Sequence, residues 1–137
     1  MTSYIDLGAT LFVPSTHKNL QSILKQEKYP DLKSVVVDLE DGISKSELAL
    51  AKQIVKNTLK NYSKTSLLVF LRPRDPNTLK ELLSYDGIEQ VDGFVLPKFS
   101  KINADEYLKL LKNTNHHFMP SIEGSELFDR DQLKKLK

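Results

Sequence analysis

Five short apolar runs recur along the 137 residues, their centres roughly 24 to 32 positions apart, and each is closed at its carboxyl end by a polar or charged group. They are Thr10-Leu11-Phe12-Val13-Pro14, Val35-Val36-Val37, Leu67-Leu68-Val69-Phe70-Leu71, Gly93-Phe94-Val95-Leu96 and His117-Phe118-Met119-Pro120-Ser121-Ile122. The unbroken β-branched run Val35 to Val37 is the pattern of a strand covered on both faces. Between the runs the apolar residues switch to helical spacing. They are Leu20, Ile23 and Leu24, then Leu48, Ala51, Ile54, Val55 and Leu59, then Leu79, Leu82 and Leu83, then Tyr107, Leu108, Leu110 and Leu111, and finally Leu127, Phe128, Leu133 and Leu136. Strand and helix in strict alternation predict a parallel α/β sheet.

The helix starts are signalled locally. Ser44 with Glu47 reads as a capping box, Asp75-Pro76 as an N-cap before a proline in the first turn, and Asn103 with Glu106 as a further box. Ser15 or Thr16 is the expected cap of the first helix. A complete eight-stranded barrel takes about 250 residues. Residues 1–137 therefore fit one α/β domain, either a doubly wound sheet or the first five of the eight βα units of a TIM-type barrel.

Strand-end chemistry separates these two. The carboxyl ends carry Ser15 and Thr16; Asp38, Glu40 and Asp41; Arg72 and Arg74; Lys98; and Glu123. A doubly wound sheet gathers its contacts at one switch point, whereas a barrel draws them from many strand ends, so the even distribution favours a partial TIM barrel. No glycine-rich dinucleotide or P-loop element is present. Taken alone, the acids are explained equally well as a solvated strand end beside a helix N-terminus, and Arg72 and Arg74 as charges bracketing Pro73. His17 reads as an exposed side chain, His116 and His117 as loop, and Glu126, Asp129 and Asp131 as solvated helix charges.

Composition excludes other classes. The net charge is +2 with acids and bases interspersed, and Lys134, Lys135 and Lys137 are too few to suggest nucleic acid as a partner. No apolar run has the length of a membrane span, and no signal-peptide pattern opens the chain. The absence of cysteine excludes thiolate metal sites and fits a cytoplasmic setting.

The motifs Leu11-Phe12-Val13-Pro14, Val37-Asp38-Leu39-Glu40-Asp41-Gly42, Phe70-Leu71-Arg72, Leu96-Pro97-Lys98 and Ile122-Glu123, in this order, resemble the HpcH/HpaI aldolase and citrate lyase β-subunit family. Gly8-Ala9-Thr10-Leu11 and Asp92 to Phe99 are similar to the citrate-lyase-like lyases of tellurium-resistance gene clusters. The resemblance implies the N-terminal part of a TIM barrel that cleaves or forms carbon–carbon bonds through a Mg²⁺-stabilised enolate. Its substrate would be an oxoacid or hydroxyacyl compound, often a CoA thioester. Arg72 matches the arginine that holds the substrate's carboxylate, and a bidentate fork suits that task. Glu123 matches a metal-binding glutamate. Glu40 and Asp41 match an acidic pair ordering the site around the metal, Lys98 lies at the rim, and Ser15 and Thr16 occupy a substrate-facing loop where many relatives carry arginine. The family's second metal carboxylate belongs to a sixth strand beyond Lys137, so weak or absent Mg²⁺ binding is expected of this chain. Two further expectations follow: Arg72→Lys removes activity with the fold intact, and the chain forms a homo-oligomer. The other reading is a non-catalytic carboxylate-binding or assembly module on the same fold.

Overall fold

The computed structural model describes residues 3–135, with Glu126 and Gln132 described by their backbone only. Strand and helix alternate as β1 (Thr10–Pro14), α1 (Leu20–Leu24), β2 (Ser34–Asp38), α2 (Leu48–Lys60), β3 (Leu68–Arg72), α3 (Pro76–Leu82), β4 (Gly93–Leu96), α4 (Ala104–Leu111), β5 (His117–Pro120) and α5 (Arg130–Lys134). The expectations for Leu136 and Lys137, and for the side chain of Glu126, lie outside the described residues.

Every strand pairs in parallel with the next, and the spatial order is β1-β2-β3-β4-β5. A doubly wound sheet reverses direction at a switch point; this one never does, so it is an arc of a TIM-type barrel. The core agrees. Val13, Val35, Val37, Val69, Leu71, Phe94 and Leu96 form one cluster with α1 (Leu20, Ile23, Leu24), α2 (Val55, Leu59), α3 (Leu79, Leu82) and α4 (Tyr107, Leu111). Four helices therefore lie on one face, as right-handed crossovers in a constant direction require. The other face carries a smaller cluster of Val36, Phe70 and Val95 with Leu7, Leu68 and Met119. Alternation along the strands makes the assignment: Phe12, Val36 and Phe70 share one rung, and the next rung on the same face is Pro14, Asp38 and Arg72.

Local signals explain most of the boundaries. The Glu47 carboxylate accepts the Ser44 N–H at 3.0 Å in the expected capping box, and a short 3-10 turn there leads into α2. Asp75 Oδ1 accepts the Thr78 N–H at 2.7 Å, with Pro76 opening α3. At Gly93 a Cβ would lie 2.2 Å from the His117 carbonyl, so only glycine lets β4 and β5 pair this closely.

Four local expectations are corrected. Helix α1 starts at Leu20 after Asn19, not at a Ser15 or Thr16 cap, because Ser15 still continues the sheet, its N–H donating to the Asp38 carbonyl at 2.9 Å. Asn103 does not cap α4 through a box with Glu106; its side chain instead joins the Ser100 N–H to the Lys98 carbonyl. Leu108, expected inside, is exposed on α4, and β5 stops at Pro120 rather than Ile122. His116 lies in the loop before β5, where one ring nitrogen is 2.9 Å from the Ile88 carbonyl and the ring stands edge-on to Phe94, while His117 is the first residue of the strand.

Candidate active site at the carboxyl ends of the strands

Asp38 and Arg72 are the last residues of neighbouring strands and occupy the same rung. Parallel strands lie about 4.8 Å apart, so an acid and an arginine on one face of one rung meet without any loop to position them. They meet side-on. Arg72 Nε donates to Asp38 Oδ1 at 2.8 Å and Nη2 donates to Oδ2 at 2.6 Å. Asp38 also accepts the Glu40 N–H at 2.9 Å and the Gly42 N–H at 3.4 Å, which curls the chain after β2 back over the strand end. Both side chains are nearly buried, with 7% of Asp38 and 11% of Arg72 exposed. Phe12 covers the guanidinium from β1, its ring centre 5.1 Å from Arg72 Cζ.

Two more carboxyls reach the same guanidinium. Asp41 Oδ2 accepts from Nη2 at 3.2 Å and Glu40 Oε2 lies 3.6 Å from it. Lys98 approaches Glu40 from β4, its Nζ 3.6 Å from Oε1. Lys98 itself adopts φ +49, a left-handed conformation that costs a non-glycine residue roughly 1 kcal/mol. Side chains hold it there: the Glu123 carboxylate accepts the Lys98 N–H at 2.7 Å, and Asn103 donates to the Lys98 carbonyl at 3.0 Å. Arg74, beyond the proline, donates to the Ile43 carbonyl at 3.0 Å and ties down the acidic turn.

The environment separates the three acids. Burial alone raises the Asp38 carboxyl, but the hydrogen bonds from Arg72 and from the Glu40 and Gly42 N–H groups, with the Arg72 charge, outweigh it and hold Asp38 below the usual aspartate value. The Arg72 guanidinium is pushed further up by the same bonds. Glu40 goes the other way. Burial and the neighbouring Asp41 carboxyl raise it, against the pull of Arg72 and Lys98. Neither Glu40 oxygen has a hydrogen-bond partner among the described residues, and the Ser15 hydroxyl, fully buried, has none either.

A pH-dependent result follows for Glu40. A buried acid with a raised pKa is at ease when protonated, and its ionisation weakens the fold as pH rises through the folded value. Glu40→Gln is therefore expected to raise the melting temperature at pH 7.5 by about 3 °C, corresponding to about 1 kcal/mol. The gap closes as pH falls below the ordinary glutamate value of 4.5. Thermal unfolding of both proteins at pH 7.5 and pH 4 checks it; an equal or lower melting temperature for the variant at pH 7.5 contradicts it.

The strand ends thus bring together Glu40, Asp41, Arg72 and Lys98, while Glu123 joins them only through the Lys98 backbone. Ser15 is buried beside β2 and Thr16 is half-buried, and neither side chain makes a hydrogen bond to the Arg72 group among the described residues. Asp38, named from the sequence among the strand-end acids but given no role there, proves to be the partner of Arg72, because the two residues end neighbouring strands on the same rung. For a magnesium ion the donor set falls short. Among the described residues no group of three His, Asp or Glu side chains is arranged to hold a metal ion; the three acids at the strand ends surround the Arg72 guanidinium instead, and one Glu123 oxygen is engaged by the Lys98 N–H. Magnesium asks for six oxygen ligands in near-ideal octahedral geometry.

A singly wound parallel sheet with helices on one face and charged residues gathered at its carboxyl ends defines a protein of the α/β-barrel class. A family model described as the C–C bond lyases of the TIM-barrel fold matches residues 1–137, and the chain belongs to that family. Among solved structures it is similar to RipC from Yersinia pestis, with a TM-score of 0.51 and 19% identity over 81% of this chain. At that identity the likeness concerns the fold, and the chain spans 44% of the length of that neighbour. No curated protein matches the chain. Among the described residues no helix is long and apolar enough to cross a membrane.

Proposed function

We propose that this chain forms the substrate-anchoring part of a carbon–carbon bond lyase of the citrate-lyase-like, HpcH/HpaI type, acting in the cytoplasm on an oxoacid or hydroxyacyl compound, CoA thioesters included. The observation that carries the reading is the Arg72 guanidinium, built rigidly into the carboxyl end of the sheet by Asp38 at 2.8 and 2.6 Å. A positioned guanidinium beside an enclosed carboxyl is what cleavage next to a carbonyl needs. The cation fixes the acid end of the substrate, so the reacting carbons are held in one orientation. Glu40, its carboxyl raised by burial, is the group suited to hold a proton beside the anchored substrate. Lys98, held in its left-handed turn, sets a second cation over Glu40. Magnesium would enter the proposal only together with carboxylates beyond this set, and would then supply Lewis-acid chemistry.

The test is a panel of short hydroxy-oxoacids and 3-hydroxyacyl thioesters incubated with the purified protein, with and without added magnesium. Release of an aldehyde or oxoacid together with the complementary acyl fragment supports the lyase. Saturable binding of the same acids with no cleavage, by well-folded protein, would instead support a carboxylate-binding module. The incomplete donor set for magnesium keeps that second reading in play.

A further inference from the structure

The three acids around Arg72 do not do the same work. Asp38 occupies the side-on edge of the guanidinium, Nε and Nη2, and is itself buried and held by two backbone N–H groups. Asp41 Oδ2 accepts from Nη2 at 3.2 Å with 66% of its side chain exposed, whereas Glu40, 6% exposed, lies 3.6 Å from Nη2 and makes no hydrogen bond to it. Besides the Asp38 bond, Nη2 has one further hydrogen, which points along the end-on edge shared with Nη1. Nη1 makes no hydrogen bond among the described residues. A substrate carboxylate arriving bidentately therefore has one edge of Arg72 open to it, and half of that edge is held by Asp41.

We propose that Asp41 is a displaceable stand-in for the substrate carboxylate on the end-on edge of Arg72, while Asp38 is the fixed positioning residue that turns that edge outward. The proposal rests on the reading of Arg72 as a carboxylate anchor and adds how access to it is regulated. The class of ligand it implies is a small carboxylate that outcompetes a tethered one. A tethered carboxylate acts at a high effective concentration, and the apparent Kd rises by the inverse of the fraction of time the edge is free. A weakly held, solvent-exposed group of this kind sets a threshold: strong bidentate acids displace it, and weak anionic ligands do not.

The experiment uses pyruvate as the probe, with binding measured by calorimetry and the Arg72 Nε–H resonance followed by ¹⁵N NMR. The chain has only three arginines, Arg72, Arg74 and Arg130, so that signal is readily assigned. Asp41→Asn is expected to tighten pyruvate binding about three- to tenfold, and Asp38→Asn to weaken it at least tenfold while shifting the Arg72 signal in the free protein. Asp31→Asn, an exposed acid before β2, controls for net charge and leaves the Kd unchanged. Asp41 is exposed, so its variant keeps the fold whatever becomes of the buried Asp38→Asn. If the wild type binds pyruvate at Arg72 and Asp41→Asn changes the Kd less than twofold, the role of Asp41 is overturned and the anchor stands. If pyruvate moves the Arg72 signal in neither protein, the anchor itself fails and the proposal with it.

Discussion

Arg72→Ala is expected to cost about 3–5 kcal/mol of folding stability, because it strands a buried charge rather than deleting a surface one. Asp38 is 7% exposed, and in the variant only the Glu40 and Gly42 N–H groups remain to hold its carboxylate. Glu40 and Asp41 lose the cation between them as well. Arg72→Lys should recover part of the loss, since a lysine ammonium restores the charge but not the side-on pair of bonds. Some loss of stability is therefore expected of Arg72→Lys beside any loss of activity, because this arginine is bonded into the fold as well as placed at the site. The sign of the pH dependence follows. Asp38 has a lowered folded pKa, so its contribution is present above the ordinary value of 3.8 and is lost as pH falls through the lowered one. The gap between wild type and Arg72→Ala should be widest near neutrality and narrow in acid. Urea unfolding followed by circular dichroism at pH 7 and pH 3 measures both, and coincident midpoints at pH 7 would refute the account.

In solution the 137-residue chain is expected to run as a dimer or larger at low micromolar concentration, with a mass at least twice 15.6 kDa by light scattering. Strands β1 and β5 are the two margins of the sheet, and among the described residues neither has a partner on its outer side. Both margins are apolar: Phe12 is 50% exposed and Phe118 44% exposed. A groove of about 610 Å³ runs beside β1, lined by Ala9, Leu11, Tyr29, Leu32 and Lys33 among others. Tyr4, Ile5 and Phe128 add exposed apolar surface at 82%, 72% and 92%. Unpaired backbone edges flanked by apolar side chains recruit further strands. Phe118→Lys, which sets a charge on the β5 margin, should shift the distribution towards the monomer. A monodisperse 15.6 kDa species that unfolds cooperatively would overturn the expectation.

What could be read from the residues alone divides along the range of the interactions. The five strands follow from runs such as Val35 to Val37, and the starts of α2 and α3 from Ser44, Asp75 and Pro76, because these signals act within a few residues. Asn103 makes no side-chain cap because its Oδ1, the atom that would accept from the first turn of α4, accepts the Ser100 N–H instead, with Nδ2 donating to the Lys98 carbonyl. His116 is fixed by Ile88 and Phe94, which belong to other elements. The site divides in the same way. The strand-end positions of Glu40, Asp41, Arg72 and Lys98 were legible, but the partition of the Arg72 fork was not, because it depends on the register between β2 and β3. A one-residue slip there would turn Asp38 and Arg72 to opposite faces.

The strand order has a consequence for how the chain acquires its shape. Partners across the sheet are 23 to 34 residues apart in sequence: Phe70 with Gly93 at one extreme, Ser34 with Leu68 at the other. Among the described residues every pairing joins strands close in sequence, and the entropy of closing each loop differs by only a few tenths of a kcal/mol between them. Folding can therefore advance as a ratchet from the amino terminus, each βα unit docking on the one before it as it leaves the ribosome. The Arg72 anchor would then be complete once β3 has docked, well before β5 is made.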